Sequence, residues 1–262
     1  MTEPQNTQTQ IFNRLFDCWL DQLNTILKQL VLAANNHEPN DNKDDSSLRL
    51  LIAQSVEHYE DYNRVKSDAA KGDIISLFPP TWLTSLEDAF MWIAGWRPTT
   101  VIHLLYSKSG IQLEARLTGL TPMFSEGDLG DLSLSQINLV DDLQKKTIRE
   151  ERKISERMAT VQESAADRNM VKLSNVMSEM IREENEDGVR DCDQQVESTL
   201  DTKTDALEEV IHMADCLRME TLKAVIEILT PIQGVYFLIA AAELRLRLHD
   251  WGLKKDAEEI VD

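Results

Sequence analysis

The chain has 262 residues, of which 46 are acidic and 27 basic, for a net charge of −19 at pH 7. A charge of that sign repels nucleic-acid phosphates and anionic membrane surfaces, so direct DNA binding and membrane attachment are not expected. Only nine Gly and seven Pro interrupt long stretches of Leu, Ala, Glu, Lys and Arg, and 42% hydrophobic composition suffices for a core, so the expected fold is all-α.

Three cysteines, Cys18, Cys192 and Cys216, are far apart and odd in number, which suggests neither a disulfide framework nor a zinc knuckle. No apolar run reaches the ~18 to 20 residues of a membrane span. Met1 to Gln10 is polar, lacks a signal core and is expected to be disordered. The expected location is the nucleus, the cytoplasm or both.

In chain order, Phe12, Leu15, Phe16, Trp19, Leu23, Ile26, Leu27, Leu30 and Val31 recur at helical spacing and predict an amphipathic helix over 11–34. The polar stretch His37 to Ser47 is expected to be a loop whose last two serines cap a second helix. That helix carries Leu48, Ile52, Val56, Tyr59 and Tyr62 and stops at Gly72. After Pro79 and Pro80, Thr84 and Ser85 are positioned to cap a helix through Leu86, Phe90, Met91, Ile93 and Ala94. Short helices are expected over 99–106 and 111–120, then a turn-rich stretch, 121–133, as a candidate internal boundary.

Residues 134–166 predict a long half-exposed helix, and 194–229 another, whose apolar stripe is too wide for a coiled-coil seam and points to packing within the molecule. Pro231 and Gly234 precede a last helix that includes Leu244 to Leu248. The alternating LRLRL of that segment resembles a strand, but nothing elsewhere would pair with it. The expectation is a multi-helix bundle of long amphipathic helices without a sheet, closing with an acidic tail over 256–262.

No phosphate loop, nucleophile elbow or HExxH motif is present, and no catalytic residue or metal site is assigned. His212 and Cys216, four apart, are read as lining a helix interface rather than holding a metal, and His58 and His103 as structural. Trp82, Trp92 and Trp96 cluster in one short stretch with Arg97. Aromatic density on that scale points to a core or a partner groove, and Arg97 to an anchor for an acidic partner. The four-residue spacing of Trp92 and Trp96 would place them on one helix face.

Four segments carry a family resemblance: FDCWLDQL (16–23), HYEDYNRVKSDAAKGDIISLFPPTWLTSLEDAFMWIAGWRPTTVIHLLYSKSG (58–110), GDLGDLSLSQ (127–136) and LTPIQGVYFLIAAAELRLRLHDWG (229–252). Through them the chain resembles the plant Delay-of-Germination family, whose domain, DOG, is shared with the carboxyl-terminal half of TGA-type bZIP transcription factors. The resemblance spans 11–255. The basic helix and zipper with which TGA factors read DNA have no counterpart here, since the first 45 residues hold only Arg14, Lys28 and Lys43 as basic groups.

The resemblance implies a non-enzymatic regulator of seed maturation, dormancy or related development that acts by binding proteins. The implied partners are phosphatases of abscisic acid signalling, NPR-type co-activators and bZIP factors, and a homo-oligomer is left open. Two other roles stand beside it: a TGA-like transcription regulator that contributes to sequence-specific DNA binding with a bZIP partner, and a haem- or lipid-responsive sensor. Haem enters only through the family, on histidines of the last helix; His249 matches one, and Arg245 stands one turn earlier where the other is expected.

Overall fold

The computed structural model describes residues 3–37, 42–70, 74–78, 80–117 and 128–259, and every regular element within them is a helix. In order these are α1 (Glu3–Asn35), α2 (Asn42–Ala70), α3 (Ser85–Ala89), α4 (Thr99–Leu117), α5 (Leu134–Glu163), α6 (Arg168–Arg182), α7 (Glu186–Ile228) and α8 (Pro231–Glu259). Single 3-10 turns sit at Ile74–Leu77, Leu129–Asp131 and Ser164–Ala166.

The centre of the bundle is the first half of α8. Ile232 to Val235 and Phe237 to Ala240 are all buried, so this segment is enclosed on every side, as a helix apolar around its circumference must be. Around it, Leu30 of α1, Leu48 and Ile52 of α2, Ile102 and Leu105 of α4, Val140 of α5 and Leu222 and Val225 of α7 close one continuous core. Leu129 is fully buried in the same core, which thus draws residues from both sides of the candidate boundary at 121–133. Residues 121–127 of that boundary lie outside the described residues.

Helix starts follow capping chemistry. The Ser133 side chain accepts from the Gln136 N–H while the Gln136 side chain accepts from the Ser133 N–H, a capping box at the head of α5. Thr230 and Gln233 make the same reciprocal pair ahead of α8, where Pro231 takes the first helical position, in which its missing N–H costs nothing. Gln136 Nε2 then donates to Gln233 Oε1 at 2.7 Å and to the Ile228 carbonyl at 2.9 Å, joining both caps to the end of α7.

Several expected boundaries shift. α1 begins at Glu3, within the segment expected to be disordered, and α2 begins at Asn42, so Ser46 and Ser47 lie inside it rather than capping it. Gly72 lies outside the described residues, with α2 ending at Ala70. The two helices expected over 99–106 and 111–120 are one helix, α4, continuous through Gly110; residues 118–120 lie outside the described residues. α8 carries on to Glu259 and takes in most of the expected tail.

α6 was not foreseen. It has no fully buried residue and packs on the early turns of α7, which start at Glu186 rather than near 194. The later turns of α7 do pack inside the molecule as the wide stripe predicts, burying Val210, Ile211, Ala214, Leu217, Leu222 and Val225. The LRLRL segment is helical.

Candidate partner-binding face

The largest departure from the sequence expectation lies at the tryptophan cluster. Thr84 and Glu87 form a capping box at the start of α3, but the helix ends after Ala89 instead of running to Ala94. Ile93 and Ala94 take positive φ angles of 47° and 56°, and the Trp92 N–H donates to the Gly95 carbonyl at 2.7 Å. Left-handed backbone at non-glycine residues costs on the order of 1–3 kcal/mol each and persists only where the surroundings enforce it. Because residues 90–98 are not helical, the helical spacing that would put Trp92 and Trp96 on one face does not apply.

The enforcing group is Arg218 of α7, 1% exposed. Its Nε donates to the Trp96 carbonyl at 2.6 Å, and its Nη2 to the carbonyls of Trp92 and, at 2.7 Å, Ile93; the guanidinium also lies 5.5 Å from the Trp92 ring centre. Its Nη1 pairs with Asp215 Oδ1 at 2.6 Å. Lys66 of α2 donates to that same oxygen at 2.8 Å and to the Ala94 carbonyl at 3.1 Å. Burial pulls the Lys66 ammonium below the usual lysine range, while Asp215 opposes that pull. The loop is thus tied by its carbonyls to α2 and α7.

α5 holds the other side. Glu151, 1% exposed, accepts from Arg97 Nε at 2.8 Å and from the Thr99 N–H at 2.7 Å, placing a carboxylate at the positive end of α4. Trp92 Nε1 donates to Ser155 Oγ at 3.1 Å. A second carboxylate, Glu87, is 3% exposed under the outer half of α8. It takes Arg245 Nη1 at 2.7 Å on one oxygen and His249 Nδ1–H at 2.9 Å on the other. Burial alone would raise the Glu87 carboxyl, but Arg245, the Thr84 N–H and His249 together hold it below its ordinary value. Gly252 lets α8 come this close, since a Cβ there would stand 2.0 Å from Thr84 Oγ1.

The residues singled out from sequence therefore separate. Trp82 stacks on Phe12 with ring centres 4.6 Å apart, Trp96 packs against the main core, and Trp92 packs against a cluster around Ile154, Val210 and Leu217. All three are half-buried. Arg97 has its side chain 55% exposed although its Nε is paired internally. Phe90, placed by sequence on the apolar face of a helix, is 67% exposed because that helix stops one residue before it. His212 and Cys216 sit 3.6 Å apart on the exposed side of α7, not at an interface as expected. His58 is buried and stacked on Trp19, whereas His103 is exposed.

His249 is held by its neighbours inside the bundle, and Arg245, one turn earlier, carries a guanidinium that does not ligate iron. One ring nitrogen is committed to Glu87, the ring stands edge-on to Phe16 at 5.6 Å, and Arg245 is engaged by the same carboxylate. Neither residue lines the neighbouring cleft between α1 and α2.

Comparison with known proteins accords with this architecture. The family model DOG1, described as seed dormancy control, matches residues 26–107. Protein DOG1-like 4 of Arabidopsis thaliana is 30% identical over 255 residues, covering 97% of each chain. The chain belongs to the DOG1-like family. DOG1-like 3 of the same plant is 29% identical over 92% of this chain and 84% of its own length. Transcription factor TGA2, also from Arabidopsis thaliana, is 28% identical over 88% of this chain but only 60% of its own length. The DOG1-like chain is thus a plant regulatory protein whose wider kin include TGA transcription factors, and among its described residues no helix is long and apolar enough to cross a membrane.

Proposed function

We propose that this DOG1-like protein is a non-enzymatic module that regulates seed maturation, dormancy or a related developmental step by holding a partner protein at the face around Phe90 and Arg97. The observation that supports this reading is Phe90, 67% exposed on a loop whose following residues are tied down by Arg218, Lys66 and Glu151. Aromatic and arginine side chains are enriched at protein interfaces, and a loop already ordered loses little further entropy on binding. Trp82, Trp92 and Trp96 support the loop from beneath, and Arg97 offers its remaining donors to a carboxylate.

The proposed partners are abscisic-acid-pathway phosphatases, NPR-type co-activators or bZIP factors, met in the nucleus or cytoplasm. The kinship with TGA2 favours a second reading, in which the chain contributes to sequence-specific DNA binding through a bZIP partner rather than by itself. Affinity purification from developing plant tissue with the wild-type chain, Phe90→Ala and Arg97→Ala tests both. Recovery of phosphatases or co-activators by the wild type, lost in the variants, supports the first reading, and recovery of bZIP factors with DNA supports the second. Equal recovery by all three chains would remove this face from consideration.

A further inference from the structure

We propose that the outer pair formed by α6 and the first turns of α7 is a docking surface for a basic amphipathic helix of a partner protein, separate from the face around Phe90 and Arg97. Among the described elements α6 packs on α7 and on the turn at Ser164–Ala166, and no third helix closes over its apolar stripe. Met170, Leu173, Met177 and Met180 lie along the middle of that stripe and stay half-buried, while Val176 and Ile181, at its two edges by helical geometry, are 42% and 61% exposed. Two helices alone bury one face of each, and a third laid along the open edge covers the remainder. At the tip the stripe opens into a cleft of about 520 Å³ whose lining includes Met180, Ile181 and Val189 together with Glu184, Glu186 and Arg190. Methionine suits such a surface, because its unbranched, polarisable side chain repacks around apolar groups of varied shape.

Charge decides the chemistry of the occupant. From Glu183 to Asp201 the chain holds eight carboxylates and one base, Arg190, which reaches only Glu186 and Asp187, at 4.0 and 3.9 Å. Glu183, Glu184, Asp191, Asp193, Glu197 and Asp201 have no cation partner among the described residues. With α6 included, residues 168–203 hold nine carboxylates against five bases, so the excess remains. Three of those bases, Arg168, Lys172 and Arg182, lie on the side of α6 turned away from the stripe, and Lys203 is engaged by Asp167. A second copy docking by this same surface is repelled, and so is an anionic membrane. An incoming helix with apolar residues at i, i+3, i+4 and i+7 and Lys or Arg alongside is matched on both counts.

The test titrates the full chain, by fluorescence anisotropy, with a helical peptide of about 18 residues built from Leu on one face and Lys on the other. A second peptide carries Glu for every Lys, and a third keeps the composition but scatters the Leu around the helix. The double variant Val176→Glu with Ile181→Glu removes exposed apolar groups without adding positive charge, and Asp191→Lys with Asp193→Lys reverses charge at exposed positions; circular dichroism checks that both fold. The expected result is a saturable micromolar complex, at least about tenfold weaker for both control peptides and for both double variants, and unchanged in Phe90→Ala. No saturable binding up to about 1 mM, equal affinity for either control peptide, wild-type affinity in either folded double variant, or loss of binding in Phe90→Ala would each overturn the proposal. Self-association of the chain in sedimentation, abolished by Ile181→Glu, would overturn it too by making a second copy the occupant.

Discussion

A Cβ on Gly95 would stand 2.8 Å from Cζ of Arg218, closer than carbon atoms approach, so the guanidinium occupies the space that any other residue at position 95 would need. The partner is not the free end of a mobile side chain, because Arg218 is fixed by three loop carbonyls and Asp215. Gly95→Ala should therefore destabilise the fold by about 1–3 kcal/mol, the usual penalty of overpacking a filled site. Urea denaturation should show a lower midpoint with an unchanged slope.

Glu87 gives the molecule a pH signature. In the unfolded chain its carboxyl titrates near about 4.3, and in the folded chain lower, so the stability it contributes is present above that value and lost as pH falls through the folded one. Glu87→Gln should cost roughly 1.5–3 kcal/mol at pH 7, because Arg245 and His249 lose a charged partner. The gap from wild type should narrow below about pH 4, measured as thermal midpoints across pH 3 to 7. A gap of constant size would show that the carboxylate's charge is not what matters.

The link between Gln136 and Gln233 couples the starts of α5 and α8. Gln136→Ala and Gln233→Ala singly should each cost about 1 kcal/mol as lost caps. Together they should cost less than the sum of the two, with a coupling of about 0.5 kcal/mol or more in a double-mutant cycle.

Two phenylalanines should respond in opposite ways. Phe237, fully buried in the first half of α8, should cost about 3–5 kcal/mol when cut to alanine. Phe90→Ala should change stability by no more than about 0.5 kcal/mol while weakening partner capture. A strongly destabilised Phe90→Ala would show the side chain to be structural and not an interface anchor.

The helices were legible because apolar periodicity and caps act locally: the stripe from Phe12 to Val31 marks α1, and Thr84 stands as the cap of α3. The loop at 90–98 was not, since Leu86, Phe90, Ile93 and Ala94 mimic a helix stripe and the group that bends them, Arg218, arrives from α7. Lys66, Glu87, Glu151 and Asp215 were missed for the same reason. A charged residue on an amphipathic helix is expected in water, and only tertiary packing decides which few are enclosed. α6 was legible but went unread: Met170, Leu173, Met177 and Met180 recur at helical spacing, although none of its residues is fully buried.

That last feature divides the molecule by strength. α6 and the first turns of α7 lean on each other, whereas the later turns of α7 belong to the main core. Amide protons of α6 should therefore exchange with solvent through a local opening far cheaper than global unfolding, while those around Val225 and Phe237 wait for the whole chain to open. A protease should nick the hairpin between Arg182 and Glu186 first and leave the bundle standing, so that one polypeptide behaves as a rigid body with a detachable arm.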